Sequence, residues 1–429
     1  MPRNLTHPRD EIMRTMERIY RYRMTTTSGG NISVREENGD IWITPARVDK
    51  GSLRREDIVL VRADGAVEGL HKPSSEFPFH RAIYQARPEL RGIVHAHPVA
   101  LVAFSIVRQT PDTRLLCQAW RICKSVGFAP YALPGSERLG KSIARTFAKG
   151  FNCVILENHG VVTAGPSLLS AFERFETLEF AAKTVIKGGQ LGRLRSLRPE
   201  QFRRSENAKL ISRSFTPPPA SSHERELRRQ LCKFVQRAYQ QRLVISTEGA
   251  FSARLDDRSF LINRHHVDRQ NLNVDDIVLV RDGAAEAGKT PSLAARNHAA
   301  IYRRHPEFQA IVNAYPVNAT AFAVTGAKLD SRTIPESYIF LRDVNRIPFG
   351  KQFGDGTELA KIVSPEKPIA LIENDGVMVC GTSILDAFDR LEVLESTAEA
   401  MINSRPLGAM TPMSDAVIEE LAGAFFQKK

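Results

Sequence analysis

Three histidines carry the first chemical signal in the sequence. His95 and His97 form an H-x-H, and His159 stands in the segment Glu157-Asn158-His159-Gly160. On a strand, residues i and i+2 point to one face, so an H-x-H aims two imidazoles at one point. His159 closes another apolar run, where a glycine lets the chain turn sharply. Three imidazoles with one open position describe a catalytic zinc site. An H-x-H alone is equally at home among ordinary buried histidines, so a second observation has to decide.

The chain supplies that observation by repeating itself. Residues 80–106 and 298–324 are identical at 13 of 27 positions, and residues 157–179 and 373–395 at 13 of 23. Order and spacing are kept, which marks a tandem duplication of one domain of about 200 residues. In the second copy the places of His95, His97 and His159 hold Asn313, Tyr315 and Asp375, while their neighbours stay. Core histidines have no reason to leave as a set; ligands of one metal do. Glu76 behaves the same way, with Ala294 in its place. It stands at the head of an expected helix, where a carboxylate either steadies the helix end or does catalytic work. Ser74 and Ser75 beside it fit helix caps or an anion site on free N–H groups. The run Thr27-Ser28-Gly29-Gly30-Asn31-Ile32-Ser33 fits a phosphate nest or a plain turn. Its counterpart, Thr247-Glu248-Gly249-Ala250-Phe251-Ser252, loses the Asn and gains a carboxylate that repels phosphate.

These residues need elements to hold them. Amphipathic patterns predict a helix over Glu11–Tyr22 and another over Arg225–Gln241. Runs such as DIWITP, DIVLVRADG, RGIVHAH and CVILENHG predict strands, with a helix from near Ser75 and a long one from about Ser167 to Ile186. Strands with helices alternating around them predict a layered α/β domain. The expected division is a first domain over 1–215 with the intact ligand set, a linker over 216–223 containing Pro217-Pro218-Pro219, and a second domain over 224–429 without it.

Composition narrows the class of function. The chain has 429 residues, 42% hydrophobic and 25% charged, enough for a core in each half. Lys and Arg number 60 against 48 Asp and Glu, a net charge of +12. That excess suits anionic partners or a solvated basic surface. No zinc-finger spacing, RNP-like motif or basic heptad array accompanies it, so nucleic acid is not expected. No apolar run approaches the roughly 18 residues a membrane helix needs, and the first residues lack the apolar core of a secretory signal. Five scattered cysteines without a C-x-x-C argue against a disulfide framework and for a reducing, cytoplasmic setting.

Five motifs in order now carry a resemblance: S-G-G-N-I-S at 28–33, I-T-P at 43–45, K-P-S-S-E at 72–76, H-A-H-P at 95–98 and E-N-H-G at 157–160. Together they resemble the class II aldolase/adducin family, over about residues 8–190 and, in degenerate form, 224–403. The resemblance implies two tandem three-layer α/β/α domains, each with a mostly antiparallel central sheet. It implies one Zn²⁺ per chain on His95, His97 and His159, Glu76 as general acid/base, and Gly30, Asn31, Ser74 and Ser75 around a substrate phosphate. The implied reaction is retro-aldol cleavage of a ketose phosphate through a metal-stabilised enediolate. An epimerase, dehydratase or decarboxylase on the same scaffold, or a non-catalytic adducin-like module, stays open; P-S-S-E, where the 4-epimerases resemble P-S-S-D, leans away from epimerisation. Two departures stand out. After I-T-P the aldolases tend to carry a small residue and a Gly, whereas this chain has Ala46 and Arg47, a second candidate for the substrate anion. The aldolases also use a tyrosine from a neighbouring subunit, for which Tyr338 in the second copy is the candidate. The family's fourfold rings imply a homodimer with four domains in a pseudo-tetrameric ring.

Overall fold

The computed structural model describes residues 6–206 and 208–426. Residues up to Thr113 with Gln118–Lys183 form one compact unit, and Arg114–Cys117 with the residues from Thr184 onward form the other.

The first unit is built on strands β1 (Asn31–Arg35), β2 (Ile41–Ile43), β3 (Val59–Val61), β4 (Val67–Glu68), β5 (Gly92–Ala96), β6 (Gly127–Ala129), β7 (Cys153–Leu156) and β8 (Gly160–Gly165). They lie in the order β4-β3-β2-β1-β5-β8-β7-β6, and every neighbouring pair is antiparallel except β6–β7. The helices in this stretch of chain are α1 (Pro8–Arg21), α2 (Phe77–Ala86), α3 (Val99–Ile106), α4 (Cys117–Cys123), α5 (Glu137–Ala148) and α6 (Leu168–Leu191). Strand alternation decides what each face of the sheet meets. Ile93, Val162 and Ala164 join Phe79 and Ile83 of α2 and Ile143 and Phe147 of α5 in one core. Thr163 points the other way and donates to the Ala171 carbonyl of α6 at 2.8 Å. α1 packs on β1 and α3 on β8. Helices therefore cover both faces. α1 starts at Pro8, earlier than the apolar pattern predicts, because His7 caps it through Nδ1 and proline suits the first turn.

The second unit repeats the plan. Its helices are α7 (Pro199–Glu206), α8 (Ser222–Gln240), α9 (Ala295–Arg304), α10 (Val317–Ala323), α11 (Pro335–Leu341), α12 (Thr357–Ile362), α13 (Ile384–Ser404) and α14 (Asp415–Phe425). Its strands are β9 (Ser214–Phe215), β10 (Ala250–Asp256), β11 (Ser259–Asn263), β12 (Ile277–Arg281), β13 (Ala284–Glu286), β14 (Ala310–Ala314), β15 (Asn345–Ile347), β16 (Ile369–Ile372) and β17 (Val377–Gly381). The order β15-β16-β17-β14-β10-β11-β12-β13-β9 is that of the first sheet with one strand added. Ile301 of α9 and Leu359 of α12 fill the core on one face, while α8 and α13 pack on the other. The added strand β9 pairs parallel to β13. α8 begins three residues before the predicted Arg225, since Ser221 Oγ accepts the Glu224 N–H at 3.1 Å. No helix among the described residues is long and apolar enough to cross a membrane. All five cysteines are buried, and no disulfide joins them.

Candidate metal and proton-transfer site

The three histidines of the first unit converge. His95 lies at the end of β5, His97 just beyond it, and His159 in the turn from β7 to β8. One ring nitrogen from each lies within 4.8 Å of the others. His95 Nε2 and His97 Nε2 are 3.1 Å apart. Two nitrogens on a tetrahedral zinc at 2.0–2.1 Å stand about 3.3 Å apart, so this pair is already at ligand spacing. His95 Nδ1 donates to the Val161 carbonyl at 2.9 Å, which leaves the Nε2 lone pair facing the cluster. Burial first, then the neighbouring His95 ring, pushes His97 down to about 3 and His159 to about 4. Both rings are therefore neutral and keep a lone pair that could serve a metal at ordinary pH. Backbone room is tight here: a Cβ on Gly160 would stand 2.6 Å from the Ala96 carbonyl oxygen and 2.7 Å from His97 Cδ2.

Glu76 occupies the N-cap position of α2 but caps nothing. Its carboxylate turns to the imidazoles instead, with Oε2 3.1 Å from His95 Nε2 and Oε1 3.6 Å from His159 Nε2. Asn31 Nδ2 donates to Oε2 at 2.8 Å. Burial raises the Glu76 carboxyl, but the His95 and His159 imidazoles and the Asn31 amide outweigh it and hold Glu76 well below the usual carboxylate range. Oε1 is buried without a hydrogen-bond partner. An orphaned carboxylate oxygen beside three convergent imidazole nitrogens is a donor set that a divalent cation fits.

The predicted anion-binding segments are laced to this cluster. β1 pairs Asn31 with His95 in register. Gly30, at φ +76°, lies so close to β5 that a Cβ would stand 2.9 Å from the His95 carbonyl oxygen. The Ser74 N–H donates to Thr44 O at 3.1 Å, the Ala46 N–H to Lys72 O at 3.0 Å, and the Lys50 N–H to Thr27 O at 2.9 Å. Segments 27–31, 44–50 and 72–76 thus form one rim. Ser74 is buried, and its Oγ accepts the Glu76 N–H at 3.3 Å; Ser75 is exposed. Arg47 is exposed at φ +56°, and among the described residues it has no ion pair. Asp49, its nearest acid in sequence, bonds Gly51 N and Ser52 Oγ instead. The buried Lys50 ammonium braces the Arg47 loop by donating to Pro45 O at 2.8 Å and Val48 O at 3.1 Å. The Asn31 side chain is engaged with Glu76 and His80. Tyr338 lies on α11 of the second unit, with its ring 5.9 Å from that of Phe426.

A model of the class II aldolase and adducin N-terminal domain matches residues 10–186 and again residues 229–402. The chain belongs to this family. An L-fuculose phosphate aldolase of Methanocaldococcus jannaschii is 32% identical over 179 residues, covering 41% of this chain and 94% of that protein. A 3-oxo-tetronate 4-phosphate decarboxylase of Haemophilus influenzae is also 32% identical over 179 residues, covering 40% of this chain and 84% of that protein. The solved structure of an L-fuculose 1-phosphate aldolase is 29% identical, spans 46% of this chain and 92% of its own, and superposes with a TM-score of 0.42.

Both copies of the family domain contain a buried chain of side chains that the motifs do not reveal. In the first unit His80 meets Ser33 Oγ at 2.7 Å, and Ser33 Oγ meets the Tyr84 hydroxyl at 2.8 Å. In the second, His298, Ser252 and Tyr302 repeat it at 2.7 and 2.7 Å. The ring of His298 donates from Nε2 to Asn313 Oδ1 at 2.7 Å, so the residue in the place of His95 serves only as its acceptor.

Proposed function

We propose that the protein is a zinc-dependent lyase of the class II aldolase type, cleaving a ketose phosphate by a retro-aldol reaction. The observation that carries this reading is the buried Glu76 carboxylate set against three convergent imidazoles. His95, His97 and His159 would hold one Zn²⁺ per chain. The metal supplies polarisation of the substrate carbonyl and charge stabilisation as the C–C bond breaks. The chain's own residues do the rest. Glu76, whose carboxylate faces this cluster, takes the hydroxyl proton whose loss drives cleavage and returns one to the carbon left behind. Asn31 steadies it from Oε2. The rim of Gly30, Ser74, Ser75 and Arg47 receives the phosphate, while the Asn31 side chain is taken up by Glu76 and His80.

One observation favours a second reading. The Haemophilus decarboxylase matches this chain at the same 32% identity as the Methanocaldococcus aldolase. Loss of CO₂ next to a carbonyl leaves the same kind of carbanion, so one site serves either reaction. The zinc-loaded protein should therefore be given L-fuculose 1-phosphate and a 3-oxo-tetronate 4-phosphate in parallel. Triose phosphate from the first supports the aldolase, and CO₂ from the second supports the decarboxylase. Turnover of neither, and of no other member of a ketose-phosphate panel, with zinc bound, speaks against a sugar-phosphate lyase and for the adducin-like module.

The wider setting is proposed on the same footing. Residues 1–215 and 224–429, joined by 216–223, are taken as the two sequence copies; the shared strand order supports two copies, while α7 and β9, which precede residue 216, belong to the second unit. The protein forms a homodimer, checked by sedimentation. Five buried thiols outside any disulfide support a cytoplasmic setting.

A further inference from the structure

The buried chain behind Glu76 has a direction, and hydrogen-bond chemistry fixes it. An ionised carboxylate only accepts, so the end of the Asn31 amide facing Glu76 Oε2 must be Nδ2. The other end is then Oδ1, an acceptor. His80 Nε2, which meets it, must carry the ring proton. His80 Nδ1 is left as an acceptor, and the Ser33 hydroxyl 2.7 Å away must donate to it. Ser33 Oγ in turn accepts from the Tyr84 hydroxyl at 2.8 Å. The opposite ring tautomer would turn the amide over and set Oδ1 against the carboxylate, acceptor to acceptor. His80 is fully buried, and burial pushes it down to about 3, so the neutral ring this logic needs is the one present.

The second unit shows which part of this chain belongs to the fold and which to the site. His298, Ser252 and Tyr302 keep the chain where Asn313, Tyr315 and Asp375 replace the three histidines. Ala250 stands in the place of Asn31, and the acceptor for His298 moves across the strand pair to Asn313, which faces Ala250 in register. His298 thus holds a residue that contacts no carboxylate at the Glu76 position, since Ala294 is there. Only in the first unit does the acceptor reach onward to Glu76.

We propose that His80 is a positioning residue for proton transfer: through its Nε2–H it locks the Asn31 amide so that Nδ2 stays fixed on Glu76. The inference rests on Glu76 as the acid/base. It requires His80 to be the Nε2–H tautomer in the native protein, and ¹⁵N spectra of the ring nitrogens read this directly. An Nδ1–H ring overturns it. Crystal structures of His80→Phe and His80→Gln test the lock. Phe fills the space without a donor, while the Gln amide restores an N–H near the Nε2 place. The Asn31–Glu76 contact should be lost in the first and kept in the second; a contact intact in His80→Phe overturns the proposal. In turnover of L-fuculose 1-phosphate, His80→Phe should lower kcat about tenfold or more with KM and zinc content little changed, and Gln should recover most of it. His298→Phe is the control for plain destabilisation: it should lower the melting temperature but leave kcat as it was. A His80→Phe protein at full kcat, in a background where Glu76→Gln is inactive, refutes the positioning role alone. A Glu76→Gln enzyme at full kcat refutes the acid/base reading instead, and the ring tautomer and crystal contacts then decide the lock by themselves.

Discussion

Acidification should destabilise this fold through His298, and the size of the effect follows from its surroundings. The ring is fully buried between Ser252 and Asn313 and titrates at about 4, lowered by burial. In the unfolded chain a histidine titrates near 6.5. The folded value is depressed, so between these two pH values the unfolded state binds the extra proton. Stability is then fully present above pH 6.5 and is lost as pH falls towards 4. Between pH 7 and pH 5 the two values give a loss of ~2 kcal/mol from this residue. His298→Gln takes up no proton, and its amide can still donate towards Asn313. The variant starts less stable at pH 7, but its urea-unfolding free energy should fall by ~2 kcal/mol less than that of the native chain on going to pH 5. Other buried groups titrate in both proteins and cancel in the difference. Parallel pH profiles for the two would show that the ring is not held neutral, and the reasoning from burial would fail.

Other expectations concern the site. Glu76→Gln keeps the shape but cannot take a proton, so kcat should fall by about 10²–10⁴-fold while zinc content and KM change little. Loss of zinc in that variant would make Glu76 a ligand or a structural support of the site. Arg47→Ala should cost about tenfold to a hundredfold in kcat/KM on a phosphorylated substrate, the worth of one charge-assisted contact; unchanged kinetics would leave Arg47 a surface residue. Tyr338→Phe should lower kcat without changing zinc content if the tyrosine transfers a proton, and equal kcat in both proteins would confine it to packing against Phe426.

Much of this was legible because the chain carries its own comparison. The shared motifs imply two sheets of one topology, and the joint loss of His95, His97 and His159 in the second copy points to one cluster. The same comparison conceals His80. It stands in both copies, as do Ser33 and Tyr84, so a search for differences passes over them. Their importance lies in a hydrogen-bond direction that needs three dimensions to read. The Asn31 side chain shows the same limit: its sequence neighbours fit a phosphate loop, while strand pairing with His95 turns its amide to Glu76. The early start of α8 was readable, since Ser221 and Glu224 have the spacing of a capping pair. β9 was not: two residues without a pattern become a strand only because β13 offers them an edge.

Everything proposed for the first unit depends on one metal held by its three histidines. Elemental analysis of the purified, zinc-equilibrated chain tests it most directly, alongside a His95→Ala variant. About one zinc per native chain is expected, and a stoichiometry near zero in the variant, because the second unit offers Asn313, Tyr315 and Asp375 in the ligand places. Two zincs per native chain, or full zinc in His95→Ala, would contradict it.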